Sequence, residues 1–148
     1  MKRFLVVSLL VAAGAVAPSA LAAGVNGGGR GTVDGTSPFS DFGFGVTADA
    51  NGVRGNFNCL MAGSSQFPGF TLMAVRGDVT NAVVAGSAAS FDGVGMLQTG
   101  NQGKSAATFH VEVTAGGPGI GTLRLTLLTP FFFPLPTEHV LVGGISLR

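Results

Sequence analysis

The sequence predicts an all-β protein, either a single antiparallel β-sandwich or a small β-barrel of about seven or eight strands, preceded by a signal-peptide helix. Short runs of alternating apolar and polar residues recur about every 8 to 15 residues, and Gly, Asn or Pro separates them. No longer window has a helical period. The 25 glycines among 148 residues are also too frequent for long helices.

The segment Met1 to Ala22 has the pattern of a secretory signal peptide. Lys2 and Arg3 give a positive start, an apolar run extends from Phe4 to Val16, and Ala20-Leu21-Ala22 supplies the small residues that precede a cleavage site. The apolar run is shorter than the roughly 20 residues of a membrane-spanning helix. We therefore expect cleavage after Ala22, no stable membrane span afterwards, and a secreted or periplasmic product.

The chain is expected to comprise a signal peptide (1–22), a flexible, Gly-rich N-terminal segment (23–38) and one β domain (39–148). Of the 8 Lys and Arg residues, Lys2 and Arg3 leave with the signal peptide, so the 7 acidic residues then outnumber the basic ones by one. The remaining basic residues are scattered singly, which excludes the clustered charge of a nucleic-acid-binding surface. The single cysteine, Cys59, excludes an internal disulfide and a cysteine-based zinc site, and we expect it to be a buried, inert thiol.

Each strand is predicted from its own pattern. Large apolar residues alternate with glycines in Phe42-Gly43-Phe44-Gly45-Val46, so the Phe and Val side chains would share one strand face and point to a core. Asn51-Gly52 is a strong signal for a hairpin turn, and the return strand is predicted from Val53 to Leu60 or Met61. Similar runs predict later strands at Phe70 to Val75, Ala82 to Ala85 or Ala89, Gly93 to Gln98, Ala106 to Thr114, Thr122 to Leu128 and Val140 to Leu147.

The same alternation predicts the core. Residues two apart on a strand share a face, so a consistent register buries one set of apolar side chains together. That set is Phe42, Phe44, Phe57, Phe109, Val111, Leu123, Leu125 and Leu127. In contrast, Val25 to Pro38 is predicted to be loosely paired because it is rich in small and polar residues, and Arg76-Gly77-Asp78 is interpreted as a turn after a strand.

The run Phe131-Phe132-Phe133 lies between Pro130 and Pro134 and cannot form a central strand. It is predicted either to fold over the open end of the β core or to form an exposed apolar site for a partner or ligand. Three consecutive bulky side chains cannot all point inward from one loop, so we expect at least one to be partly exposed. We predict that any binding function resides here.

His110 and Glu112 are two residues apart on one predicted strand face and form a possible polar site, which His139 and Glu138 could join. Alternating polar residues on a solvated strand face explain the pair without a function. Two ligands are too few for a zinc site, so no metal is expected, and no motif indicates a cofactor. The absence of a nucleophile elbow or a phosphate-binding loop favours a non-enzymatic role.

Several landmarks resemble the post-COAP family of small secreted bacterial domains. They are Gly27-Gly28-Gly29, Phe42-Gly43-Phe44, the run from Asn51 to Asn58, Phe109-His110-Val111-Glu112-Val113 and Gly143-Gly144-Ile145-Ser146-Leu147. The resemblance implies a secreted β domain and no particular chemistry. The segment from Phe131 to Pro136 departs from the family, where a polar loop is expected.

Together these observations predict a secreted β module with a structural or binding role toward an unknown apolar or cell-surface partner. The alternative is a small exported β-barrel carrier or enzyme with a cavity lined by Phe side chains. The two differ in the interior, because a carrier needs a pocket of roughly 300 Å³ or more with a few convergent polar groups.

Overall fold

The computed structural model describes residues 22–62, 71–100 and 102–148, and over these ranges it confirms the all-β fold class. Its strands are β1 (Ala23–Thr32), β2 (Pro38–Asp49), β3 (Gly52–Ala62), β4 (Leu72–Ala85), β5 (Ala88–Thr99), β6 (Lys104–Thr114), β7 (Thr122–Thr129), β8 (Phe133–Pro134) and β9 (Glu138–Leu147). The predicted signal-peptide helix falls outside the described residues. Within the described ranges, no helix has the length and apolar character to cross a membrane.

The strands form one antiparallel sheet that closes into a ring. Its order is β6-β5-β4-β3-β2-β1-β9-β7-β8, and an additional pairing joins β6 to β7. The predicted hairpin at Asn51-Gly52 is confirmed, because β2 and β3 are paired up to the turn, where Asp49 at the end of β2 pairs with Gly52 at the start of β3. Sequential strands are neighbours from β1 to β7, and β9 then returns to pair with β1.

The ring closes through a short seam between β7 and β9. These strands share only the pairs Thr122–His139 and Leu123–Glu138. Farther along β7, the two-residue strand β8 takes the place of β9. On the other side of the direct pairs, the connection between β6 and β7 contacts β9 through hydrogen bonds such as Gly116 N to Ile145 O, 3.0 Å long.

Apolar side chains fill the interior. All eight residues predicted to face one core are buried, with Phe109 and Leu127 fully enclosed at 0% exposure. Five phenylalanine rings form a continuous cluster in which neighbouring ring centroids lie 5.2–6.4 Å apart. The cluster consists of Phe42, Phe44, Phe57, Phe91 and Phe109.

Two glycines on the inner face make room for these rings. A Cβ atom at Gly27 would lie 2.3 Å from Cζ of Phe44, and one at Gly93 would lie 2.2 Å from Cζ of Phe109. A glycine on one strand therefore accommodates an aromatic ring from the strand beside it. This pairing explains why a glycine-rich chain forms a packed interior.

The N-terminal segment and β4 differ from expectation. The segment predicted to be loosely paired contains β1, which pairs with both β2 and β9 and buries Val25 completely.

Arg76-Gly77-Asp78 is not a turn, since β4 continues through it to Ala85. Gly77 pairs with Phe57 of β3, and a Cβ at Gly77 would lie 2.3 Å from the Val94 carbonyl oxygen, so the close approach of β5 leaves no room for a side chain. The turn occurs later, at Gly86, whose φ is +61°.

Strand β5 is also longer than predicted. It begins at Ala88 rather than Gly93, because the Phe91 ring belongs to the interior cluster and is 1% exposed. The predicted start of β4 at Phe70 lies outside the described residues.

Candidate functional site

The segment after β7 carries the most exposed aromatic side chain of the described residues. Phe132 is 71% exposed and Phe131 is 41% exposed. Two later residues hold the segment on the barrel: Phe133 pairs with Leu127, and Leu135 is 2% exposed with its N–H donating to Leu125 O over 2.9 Å. The segment therefore has a buried anchor and an exposed tip.

This geometry combines both predicted arrangements of the Phe131-Phe132-Phe133 run. The expectation that at least one ring is partly exposed is confirmed, and no long strand forms across the run. Phe133 packs against the core, and its ring meets Phe131 edge-on at a centroid distance of 6.3 Å. The run thus packs one ring against the core and leaves the other two partly or largely exposed.

The outer face of β5 and β6 carries a hydrogen-bonded polar cluster around His110. His110 Nδ1 lies 2.6 Å from Asp92 Oδ1, and the residues are paired in register on neighbouring strands. Because a carboxylate accepts hydrogen bonds, Nδ1 is the donor. The other Asp92 oxygen accepts a 3.3 Å bond from Asn81 Nδ2. Sequence reasoning missed Asp92 and Asn81, and only the cross-strand register would have identified them.

The three residues of the predicted polar site do not form one site. Glu112 faces Arg124 of β7, with Oε2 3.9 Å from Nη1, while His110 is bonded to Asp92. His139 pairs with Thr122 in the seam and makes no hydrogen bond to His110 or Glu112. Both ion pairs are partly exposed, so each contributes little to stability. Alternating polar residues on a solvated face account for this arrangement.

Glu138, which was expected near that site, instead lies inside the barrel. Its side chain is 2% exposed, and Oε2 accepts a 2.5 Å hydrogen bond from the Ser40 hydroxyl, which is also buried. Gly31 provides the necessary space, because a Cβ there would lie 1.9 Å from Oε2. Removal from water raises the pKa of Glu138 to about 7, although the Ser40 hydrogen bond opposes the shift.

Cys59 lies on β3 and is 0% exposed, as predicted for an inert thiol. Burial raises the pKa of the Cys59 thiol, and the nearby Glu138 carboxylate raises it further. The thiol is therefore protonated under ordinary conditions and has none of the thiolate character that a nucleophile needs.

Across residues 22–62, 71–100 and 102–148, no group of three or more His, Cys, Asp or Glu side chains is arranged to hold a metal ion. No family model, curated protein sequence or solved structure matches the chain.

Proposed function

We propose that the chain is an exported, non-enzymatic β-barrel module that acts by binding, and that Phe131 and Phe132 form its contact site. One observation carries this proposal: Phe132 is 71% exposed on a segment that Phe133 and Leu135 anchor to the barrel. Burying one such side chain stabilises a contact by roughly 1.5–3 kcal/mol. An anchored segment also loses little conformational freedom on binding.

The surroundings of the two rings favour an apolar surface on a partner protein. No charged residue occurs between Leu128 and Thr137, and Leu128 adds a third exposed apolar side chain at 40% exposure. A small uncharged patch of this kind is typical of the central part of a protein–protein contact. An acidic, basic or nucleic-acid partner would find no complementary charge in this segment.

The packed interior supports a binding role over the alternative of a carrier or enzyme with a Phe-lined cavity. The five interior phenylalanines contact one another instead of lining a space. Export is proposed on the sequence of Met1 to Ala22. Membership of the post-COAP family is part of the same proposal, since several of its landmarks lie on paired strands of the sheet.

The variant Phe132→Ser tests the contact site. We expect its melting temperature to stay close to that of the unchanged protein, because the ring is largely exposed. Retention of the purified protein on cell-surface material should fall. Ile120→Ser is the matched control, since Ile120 is 73% exposed in another loop, and it should leave retention unchanged.

A clear fall in the melting temperature of Phe132→Ser with unchanged retention would show that the segment is only a lid and would refute the proposal. Sedimentation of the unchanged protein tests whether the partner is a second copy of this chain. If the unchanged protein is a dimer and Phe132→Ser is a monomer, the contact site joins two copies of the chain instead of binding a different protein.

A further inference from the structure

A strap that extends from Phe133 to Glu138 covers the edge of β7 on the side away from β6. Its first two residues form β8, and the Leu135 N–H donates to Leu125 O over 2.9 Å. At the far end of the strap, Glu138 pairs with Leu123. The two exposed rings of the contact site come directly before the strap in the sequence, so β7 positions them through it.

The backbone of Glu138 has a paired strand on one side only. The pairing of β9 with β1 ends at His139, so Glu138 pairs with β7 but not with β1. Within the described residues, the direct pairing between β7 and β9 consists of two residue pairs. Glu138 can therefore detach from β7 together with the strap while β9 keeps its pairing with β1 from His139 onward.

The carboxyl group of Glu138 is buried with little to replace its contact with water. Its side chain lies over Gly31, and among the described residues the Ser40 hydroxyl is the only hydrogen-bond donor to it. One hydrogen bond does not compensate for the hydration that a carboxylate loses on burial. The neutral acid is suited to this position, whereas the ionised form needs either a nearby cation or water.

No basic side chain faces this carboxyl group in the part of the chain that the structure describes. The Cys59 thiol on β3 interacts with it but is neutral. The strap has no other ionisable residue. An ionised Glu138 is therefore stabilised only when it reaches water. The ionisable side chains on the neighbouring strands and in the loop after β1 are exposed at the outer surface, namely Arg30, Asp34, Asp41, Arg124 and His139.

The strap has few hydrogen bonds to lose when it moves. Pro134 and Pro136 have no N–H to donate to β7. Its apolar anchors are Leu135, which is 2% exposed, and the partly buried Phe133. In contrast, β6 and β7 are paired along the whole of Thr108–Thr114. The strap can thus open as a local unit while the rest of the sheet stays paired.

We propose that the strap opens when Glu138 ionises and closes when Glu138 is protonated, and that this movement controls the Phe131–Phe132 contact site. The second part of the proposal rests on the proposed function. With the strap closed, the two rings are held in place and lose little conformational freedom on binding. With the strap open, β7 no longer holds them, and the partner is bound more weakly.

Native-state hydrogen exchange, followed by NMR at several low urea concentrations, tests the opening. The Leu135 N–H reports on the strap, and the Ile145 N–H, which donates to Gly116 O over 3.0 Å, reports on the rest of β9. Each rate is taken relative to that of an unstructured amide at the same pH. We expect Leu135 to exchange faster than Ile145 and with little urea dependence, since a local opening exposes little surface.

The pH dependence of exchange identifies the responsible group. The pKa of Glu138 is about 7 in the closed strap and 4.5 when the group is exposed, so the opening equilibrium at Leu135 should rise roughly tenfold between pH 6 and pH 8. Glu138→Gln should abolish the rise, because an amide does not ionise. Glu112→Gln is the matched control at an exposed position and should keep it. The rise itself is measured on the unchanged protein and needs no variant.

The proposal is wrong if Leu135 and Ile145 exchange at the same rate with the same urea dependence, because the strap then opens only when the whole barrel unfolds. It is also wrong if exchange at Leu135 does not rise with pH, or if Glu138→Gln keeps the rise. Exchange requires no partner, so these outcomes are separate from the retention test of Phe132→Ser. Control of the contact site predicts weaker retention of the unchanged protein at the higher pH, and equal retention at both pH values would refute that control.

Discussion

Glu138→Gln should remove a pH dependence of stability that the buried carboxyl group creates. The pKa of Glu138 rises from 4.5 to about 7 on folding. A raised pKa in the folded state means that folding favours the protonated form. The stability that the buried Glu138 carboxyl contributes is therefore fully present below about pH 4.5 and is lost as the pH rises through 7. Since a pKa change of one corresponds to about 1.4 kcal/mol, the loss approaches about 3 kcal/mol.

This loss is a large fraction of the stability of a typical domain, which is about 5–15 kcal/mol. Urea denaturation at intervals between mildly acidic and mildly basic pH measures it as the free energy of unfolding. The unchanged protein should become less stable over this range, and Glu138→Gln should have a much flatter profile because its amide cannot ionise. Glu112→Gln, the same substitution at an exposed position, should retain the original slope. Parallel profiles for the unchanged protein and Glu138→Gln would refute the reasoning.

Two further predictions concern the core and the leader. Phe109→Ala should lower the free energy of unfolding by about 3–5 kcal/mol, because the ring is 0% exposed and packs 5.2 Å from the Phe57 centroid; a loss well below 1 kcal/mol in urea denaturation would contradict close packing. The exported protein should begin at Ala23, which its intact mass measures, and a membrane-bound product that retains Met1 to Ala22 would contradict cleavage.

The core was predictable from the sequence because it depends on a local rule. Alternation along a strand assigns Phe42, Phe44 and Phe57 to one face before any pairing partner is known. The hairpin predicted at Asn51-Gly52 also forms, with Ala50 and Asn51 in the turn and Asp49 paired with Gly52. For the same reason, the exposure of one ring in the Phe131-Phe132-Phe133 run followed from the geometry of consecutive residues.

The glycine-rich strands were not predictable in this way. Gly27 and Gly77 look like breaks in a strand when only neighbours in sequence are considered. Gly27 makes room for the Phe44 ring of β2, and Gly77 allows the close approach of β5 at Val94, so both positions are explained by non-local contacts.

The candidate sites depend on non-local register in the same way. His110 was grouped with Glu112, its neighbour along the strand, whereas its bonded partner is Asp92 across the sheet. Likewise, no local pattern marks Glu138 as buried, because the space for its carboxyl group comes from Gly31 on β1.

The pairing of β1 with β9 determines when the barrel can form. The first strand needs the last one, so the closing contacts join residues such as Val25 and Leu147 across nearly the whole chain. Contacts of such long sequence separation are slow to form, and β9 is synthesised after the other eight described strands. Until then, β1 lacks one neighbour and the phenylalanine-rich inner faces have no complete enclosure. We expect the growing chain to stay open until synthesis of β9, a state that suits threading through an export channel and that calls for protection from aggregation.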